Sequence, residues 1–172
     1  MKKVMISLSA LALSLGLAAC SNSNNAKTDK QETTQTASSN MNVKKELVKF
    51  YMDLGKTINE KDIDLNSYVN KASKPDTKPT AEDQVKASAS AAAVADALNK
   101  FQVPADLKDQ KADLVVVVKE FAASYQTKAN ELKKAAPNLN AANAAFAQAD
   151  QKLGKIFENA KLLPPTLDKQ VN

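Results

Sequence analysis

The residue best suited to covalent chemistry is Cys20, the single cysteine in 172 residues. A thiol attacks as its thiolate, and the chain has no histidine to serve as the base. No second cysteine exists to close a disulfide within the chain. The next candidates, Ser88 and Ser90, sit among small residues of an alanine-rich run with no lysine placed as an obvious base. The paired carboxylates Glu82 and Asp83 have a plainer explanation at the start of a helix, and Lys133-Lys134 at the end of one. Asp106, Asp109 and Asp113 follow helical spacing and not the spacing of a calcium loop. Zinc, copper and haem sites of the usual kinds lack their ligands. The expectation is therefore no catalytic residue, no metal and no cofactor.

The surroundings of Cys20 are more informative. Lys2 and Lys3 precede an almost wholly apolar or small run, Val4 to Leu17, of signal-peptide length and short for a membrane span. Leu17-Ala18-Ala19-Cys20 then resembles the lipobox of bacterial lipoproteins. The resemblance implies cleavage between Ala19 and Cys20, diacylglycerol on the Cys20 sulfur and often an acyl group on the new N-terminus. Two or three acyl chains on one residue hold a protein on a bilayer far better than one. The implied location is the extracytoplasmic face of the cell membrane, or the outer membrane in a Gram-negative host. The plainer alternative is an ordinary secreted protein with an incidental cysteine.

Three segments follow: a signal peptide (1–19), the lipidated cysteine with a disordered tether (20–41), and a folded domain (42–172). The tether, SNSNNAKTDKQETTQTASSNM from Ser21 to Met41, has almost no large apolar side chain to offset the entropy of ordering. Losing Lys2 and Lys3 lowers the formal charge from +5 to +3, which weakens the case for an anionic partner. All 24 basic residues are lysine. Without arginine the usual bidentate reading of phosphate and guanine is missing, and export argues the same way, so no nucleic-acid partner is expected.

Four stretches of the domain carry helical periodicity. Val43 to Asn59 repeats Val43, Leu47, Phe50, Leu54 and Ile58. Ile63, Leu65, Tyr68 and Val69 either extend it or form a short helix of their own. Thr80, with Asp83 three residues on, caps a second helix whose stripe is Ala87, Ala91, Val94, Leu98 and Phe101. A third runs from Pro104 to Ala136 along Leu107, Leu114, Val118, Phe121, Tyr125 and Leu132. Its run Leu114-Val-Val-Val-Val118 reads as a helix apolar on several sides, since no partner strand is evident. A fourth begins near Asn138 or Asn140 and carries Leu139, Ala142, Phe146, Ala149, Leu153, Ile156 and Ala160. Leu167 and Val171 then fold back. The fold class is all-α, an up-down bundle of four helices, with a three-helix core and a loose first helix as the alternative. Much of the 44% hydrophobic content is alanine, so the core is shallow.

Within that bundle Phe50, Phe101, Phe121, Tyr125, Phe146 and Phe157 read as core, because a bundle needs that spacing anyway, with the lining of a ligand pocket between helices as the lesser alternative. Tyr68, beside the Pro-containing loop, is the candidate contact residue. Gly55 and Gly154 fall inside helices, and antiparallel register argues against a direct contact between them. The run Leu54-Gly55-Lys56-Thr57-Ile58-Asn59-Glu60 is similar to an LG-x-TIN stretch of uncharacterised all-helical bacterial lipoproteins, which implies the same fold class and no activity. The functional expectation is a lipid-anchored, non-enzymatic helical module that binds another envelope or extracellular protein near the membrane. Two alternatives stand beside it: an exclusion lipoprotein that blocks phage or plasmid entry, and a carrier of a small apolar ligand or lipid.

Overall fold

The computed structural model describes residues 31–171, with side chains from residue 40 onward. Among these residues the chain is all helical, with no strand. In order come α1 (Gln31–Asn59), α2 (Ile63–Ala72), α3 (Ala81–Lys100), α4 (Lys111–Glu131) and α5 (Asn140–Asn159).

Five helices replace the expected four because α2 stands alone. The N–H groups of Lys61 and Asp62 both return to the Ile58 carbonyl, at 2.9 and 3.1 Å, which ends α1 and turns the chain. Ser90 on α3 then fixes α2. Its hydroxyl donates to the Lys61 carbonyl at 2.6 Å and accepts from the Leu65 N–H at 3.3 Å. An ion pair of 2.7 Å between Lys71 and Asp83 ties the far end of α2 to the start of α3.

The helix bounds also correct the sequence reading. The described part of α1 reaches back beyond Val43 to Gln31, so residues 31–41, read as tether, belong to it. They contain neither glycine nor proline, and nothing in them breaks a helix. The rest of the expected tether lies outside the described residues. α4 is shorter than the span 104–136. Before it, Leu107 N–H bonds Pro104 and Gln110 N–H bonds Leu107, both at 3.2 Å, so two tight turns bury Leu107 ahead of the helix. After it, Gln84 on α3 donates through Nε2 to the carbonyls of Leu132 and Lys134, at 2.7 and 2.9 Å. The helix ends there, ahead of Pro137. α3 begins as read, with Thr80 as N-cap in a reciprocal capping box with Asp83.

The core follows the predicted stripes. Leu47, Phe50, Leu54 and Ile58 of α1 are fully buried, as are Ala87, Ala91 and Val94 of α3 and Leu114 and Phe121 of α4. Phe50 meets Phe101 edge-on at 5.6 Å, and Phe121 meets Phe146 at 4.8 Å. Rings set this way gain a little beyond their buried area.

The C-terminal segment joins the helices. Lys161, at φ 57°, closes α5 in a Schellman arrangement, with Leu162 N–H bonded to the Phe157 carbonyl at 2.9 Å. Beyond it Leu167 and Val171 are buried, as expected. Tyr51 Oη donates to the Thr166 carbonyl at 3.2 Å, and Asn59 donates to the Gln170 carbonyl at 3.1 Å. The two glycines make room for this tail and not for each other. A Cβ at Gly55 would stand 3.3 Å from Gln170, and one at Gly154 would stand 3.3 Å from Pro164.

Candidate functional site

α2, α4, α5 and the tail enclose an open groove of about 570 Å³. α4 supplies the floor with Tyr125 and Lys128. Both follow Phe121 on the inward seam at helical spacing, so the groove exists because that seam carries a lysine where an apolar residue would seal it. α2 contributes Asn66 and Asn70, and α5 contributes Asn143 and Asp150.

The Lys128 ammonium lies 4.8 Å from the centre of the Tyr125 ring and 5.3 Å from that of Phe146. Both faces attract it, and its stem covers apolar surface. Burial pushes this ammonium below the usual lysine range, opposed by the nearby Asp168 and Asp62 carboxylates. Asp62 precedes α2 and is only 2% exposed. Burial raises its carboxyl, against the Asn66 side chain, its own backbone N–H and Lys128, which favour the charged form. Its Oδ2 has no hydrogen-bond partner among the described residues. Burial also pushes the Tyr125 hydroxyl up, with Asp62 and Asp168 adding to it. Asp150 is raised by burial too, partly offset by the backbone N–H groups of Leu167 and Asp168. The groove therefore offers donors, acceptors, both signs of charge and aromatic edges within one surface.

Apart from Tyr125 and Phe146, the residues singled out in the sequence lie elsewhere. Ser88 is buried and donates to the Ala129 carbonyl at 2.8 Å. That carbonyl sits at the end of α4, where the Lys133 N–H has turned to Asn130. Ser88 and Ser90 are thus backbone caps. Asp83 is engaged with Thr80 and Lys71, Lys133 is exposed, and Lys134 pairs with Glu131 at 2.5 Å. Among the described residues no group of three or more carboxylate, cysteine or histidine side chains is arranged to hold a metal ion. Tyr68 is half-buried and packs against the core. Ala19 and Cys20 lie outside the described residues.

Of the groove residues, Tyr125 and Phe146 were weighed as pocket lining and read as core; the polar ones were missed, although Lys128 left a signal. It falls between Tyr125 and Leu132 on an otherwise apolar seam. Asp150 left a similar one between Ala149 and Leu153 on α5. No family model, curated protein or solved structure matches the chain.

Proposed function

We propose that the chain is a lipid-anchored, non-enzymatic helical module of a bacterial envelope, and that it binds a protein partner at the membrane through the groove between α2, α4 and α5. The observation that carries the binding half is the groove itself. It joins a half-buried Lys128, the carboxylates of Asp150 and Asp168 and the amide side chains Asn66, Asn70 and Asn143. A surface of that composition suits polypeptide, which brings its own donors and acceptors. The anchor half rests on Leu17-Ala18-Ala19-Cys20, which supports acylation of Cys20. In the same proposal α1, α3, α4 and α5 form an up-down bundle and α2 is an addition to it. The non-enzymatic reading is supported by the engagement of Ser88 and Ser90 with backbone groups. An apolar ligand is disfavoured by the charged groups of Lys128, Asp150 and Asp168 in the lining, and no structural observation favours an exclusion role.

A photo-crosslinking amino acid at Asn143, with one at Val116 on α4 as the control, tests the groove in intact cells of the host. A discrete protein adduct from Asn143, absent from Val116 and lost with Lys128→Ala, is the expected outcome. Identical adducts from both positions, or none from Asn143, would overturn the groove as a protein-binding site.

A further inference from the structure

The side of α1 that faces away from the core has an unusual composition. Leu47, Phe50, Leu54 and Ile58 point inward. Met41, Lys45, Val48, Lys49, Met52 and Lys56 recur at three- and four-residue steps on the opposite side, and all are exposed. Met41 is 71% exposed, Met52 59% and Val48 43%. At 100° per residue these six positions fall within about one third of the helix circumference. That arc holds three apolar side chains, three lysines and, at its C-terminal end, Asn59, with no acidic residue. Asp53 and Glu60 lie on its flank, where they pair with Lys49 at 2.8 Å and Lys56 at 3.8 Å. Exposed pairs of this kind are weak and exchange readily for another anion.

We infer that this face of α1 seats on the anionic surface of the bilayer in which the protein is anchored. The inference rests on the proposed acylation of Cys20. Two observations select a lipid surface as the occupant. The first is charge complementarity, with Lys45, Lys49 and Lys56 placed to meet lipid phosphates while Met41, Val48 and Met52 enter the headgroup boundary. This is the composition of interfacial helices. The second is the chain outside the structure. Ten residues separate Cys20 from Gln31, the first described residue of α1. Even fully extended they reach only about 35 Å, at 3.3–3.6 Å per residue. The anchor therefore keeps α1 at high effective concentration against the membrane, and a contact too weak to recruit a free protein suffices. Seated this way, the domain is held at the membrane by a helix face as well as by acyl chains.

The full-length lipidated protein, reconstituted in vesicles, tests this. An acylated Cys20 leaves an introduced cysteine as the one reactive thiol, so Met52→Cys and, as control, Val116→Cys on α4 can each carry a nitroxide. In phosphatidylglycerol vesicles the label at residue 52 should become several-fold more accessible to oxygen than to a water-soluble nickel chelate. It should lose that preference in phosphatidylcholine vesicles, and also when Lys45→Gln, Lys49→Gln and Lys56→Gln are combined. The label at residue 116 should report water throughout. Circular dichroism confirms that each variant remains helical. A modified Cys20 with a water-exposed label at 52 in anionic vesicles would overturn the seated face alone. An unmodified Cys20 in the mass spectrum of the same sample would overturn the anchor, and the inference with it.

Discussion

The Asp150 carboxylate accepts a hydrogen bond of 2.9 Å from the backbone N–H of Leu167, so a charged group on α5 holds the tail while the Leu167 side chain is fully buried. Removing a hydrogen-bond partner from a part-buried donor costs about 1–3 kcal/mol. Asp150→Ala should therefore lower unfolding stability by about that much in urea titrations and speed amide exchange at Leu167. Leu167→Ala should cost more, about 2–5 kcal/mol, because it leaves a cavity. Equal stability of all three proteins would mean that the tail does not close the bundle.

Phe121 tests the centre of the core. It is fully buried and touches the Phe146 ring at 4.8 Å. Phe121→Asp puts a carboxylate there without a partner, at a cost of several kcal/mol. Domain stability is typically only about 5–15 kcal/mol, so the variant should lose most of its helical circular dichroism at 37 °C. An unchanged melting temperature would contradict the packing of α4.

The capping box gives a prediction in acid. The hydrogen bonds from Lys71 and then from Thr80 hold the Asp83 carboxyl at about 2, against an ordinary value of 3.8. Between these values the folded protein binds fewer protons at Asp83 than the unfolded chain does. Its contribution is thus complete above about pH 4 and is lost as pH falls through about 2. The difference in melting temperature between wild type and Asp83→Asn should be constant above pH 4 and shrink toward zero by pH 2. A difference that persists undiminished there would show that Asp83 acts by packing alone.

Lys128 gives a prediction of the same sign in base. Burial lowers its pKa, whereas Asp53 and Glu82 raise those of Lys49 and Lys86. Lysine-13Cε NMR should show Lys128 titrating before Lys49 and Lys86 as pH rises. Between its folded value and 10.5 the native state binds fewer protons there than the unfolded chain, so Lys128's share of stability rises with pH across that window. Simultaneous titration of the three would mean that the Lys128 ammonium lies in open water.

How much of this was legible in the sequence depends on what each residue contacts. The apolar stripes were legible because helical spacing alone sorts Leu47, Phe50 and Leu54 onto one face. Thr80 and Asp83 were legible because a capping box is local. The end of α4 was not, because Gln84 on another helix sets it. The same holds for α2, whose separation from α1 is fixed by Ser90, distant in sequence. Ser88 and Ser90 invited a search for catalysis because their carbonyl partners on other segments cannot be seen in one dimension. The groove was illegible for the same reason, although the lysine and aspartate interrupting two apolar seams marked its place.

Acylation of Cys20 is the claim on which the location, the partner and the seated face of α1 all depend. Mass spectrometry of the N-terminal peptide from protein made in its bacterial host tests it most directly. The account predicts a peptide that begins at Cys20 and carries a thioether-linked diacylglycerol, and Cys20→Ser should abolish the modification and membrane retention together. A peptide beginning elsewhere, or an unmodified Cys20 thiol, would contradict it.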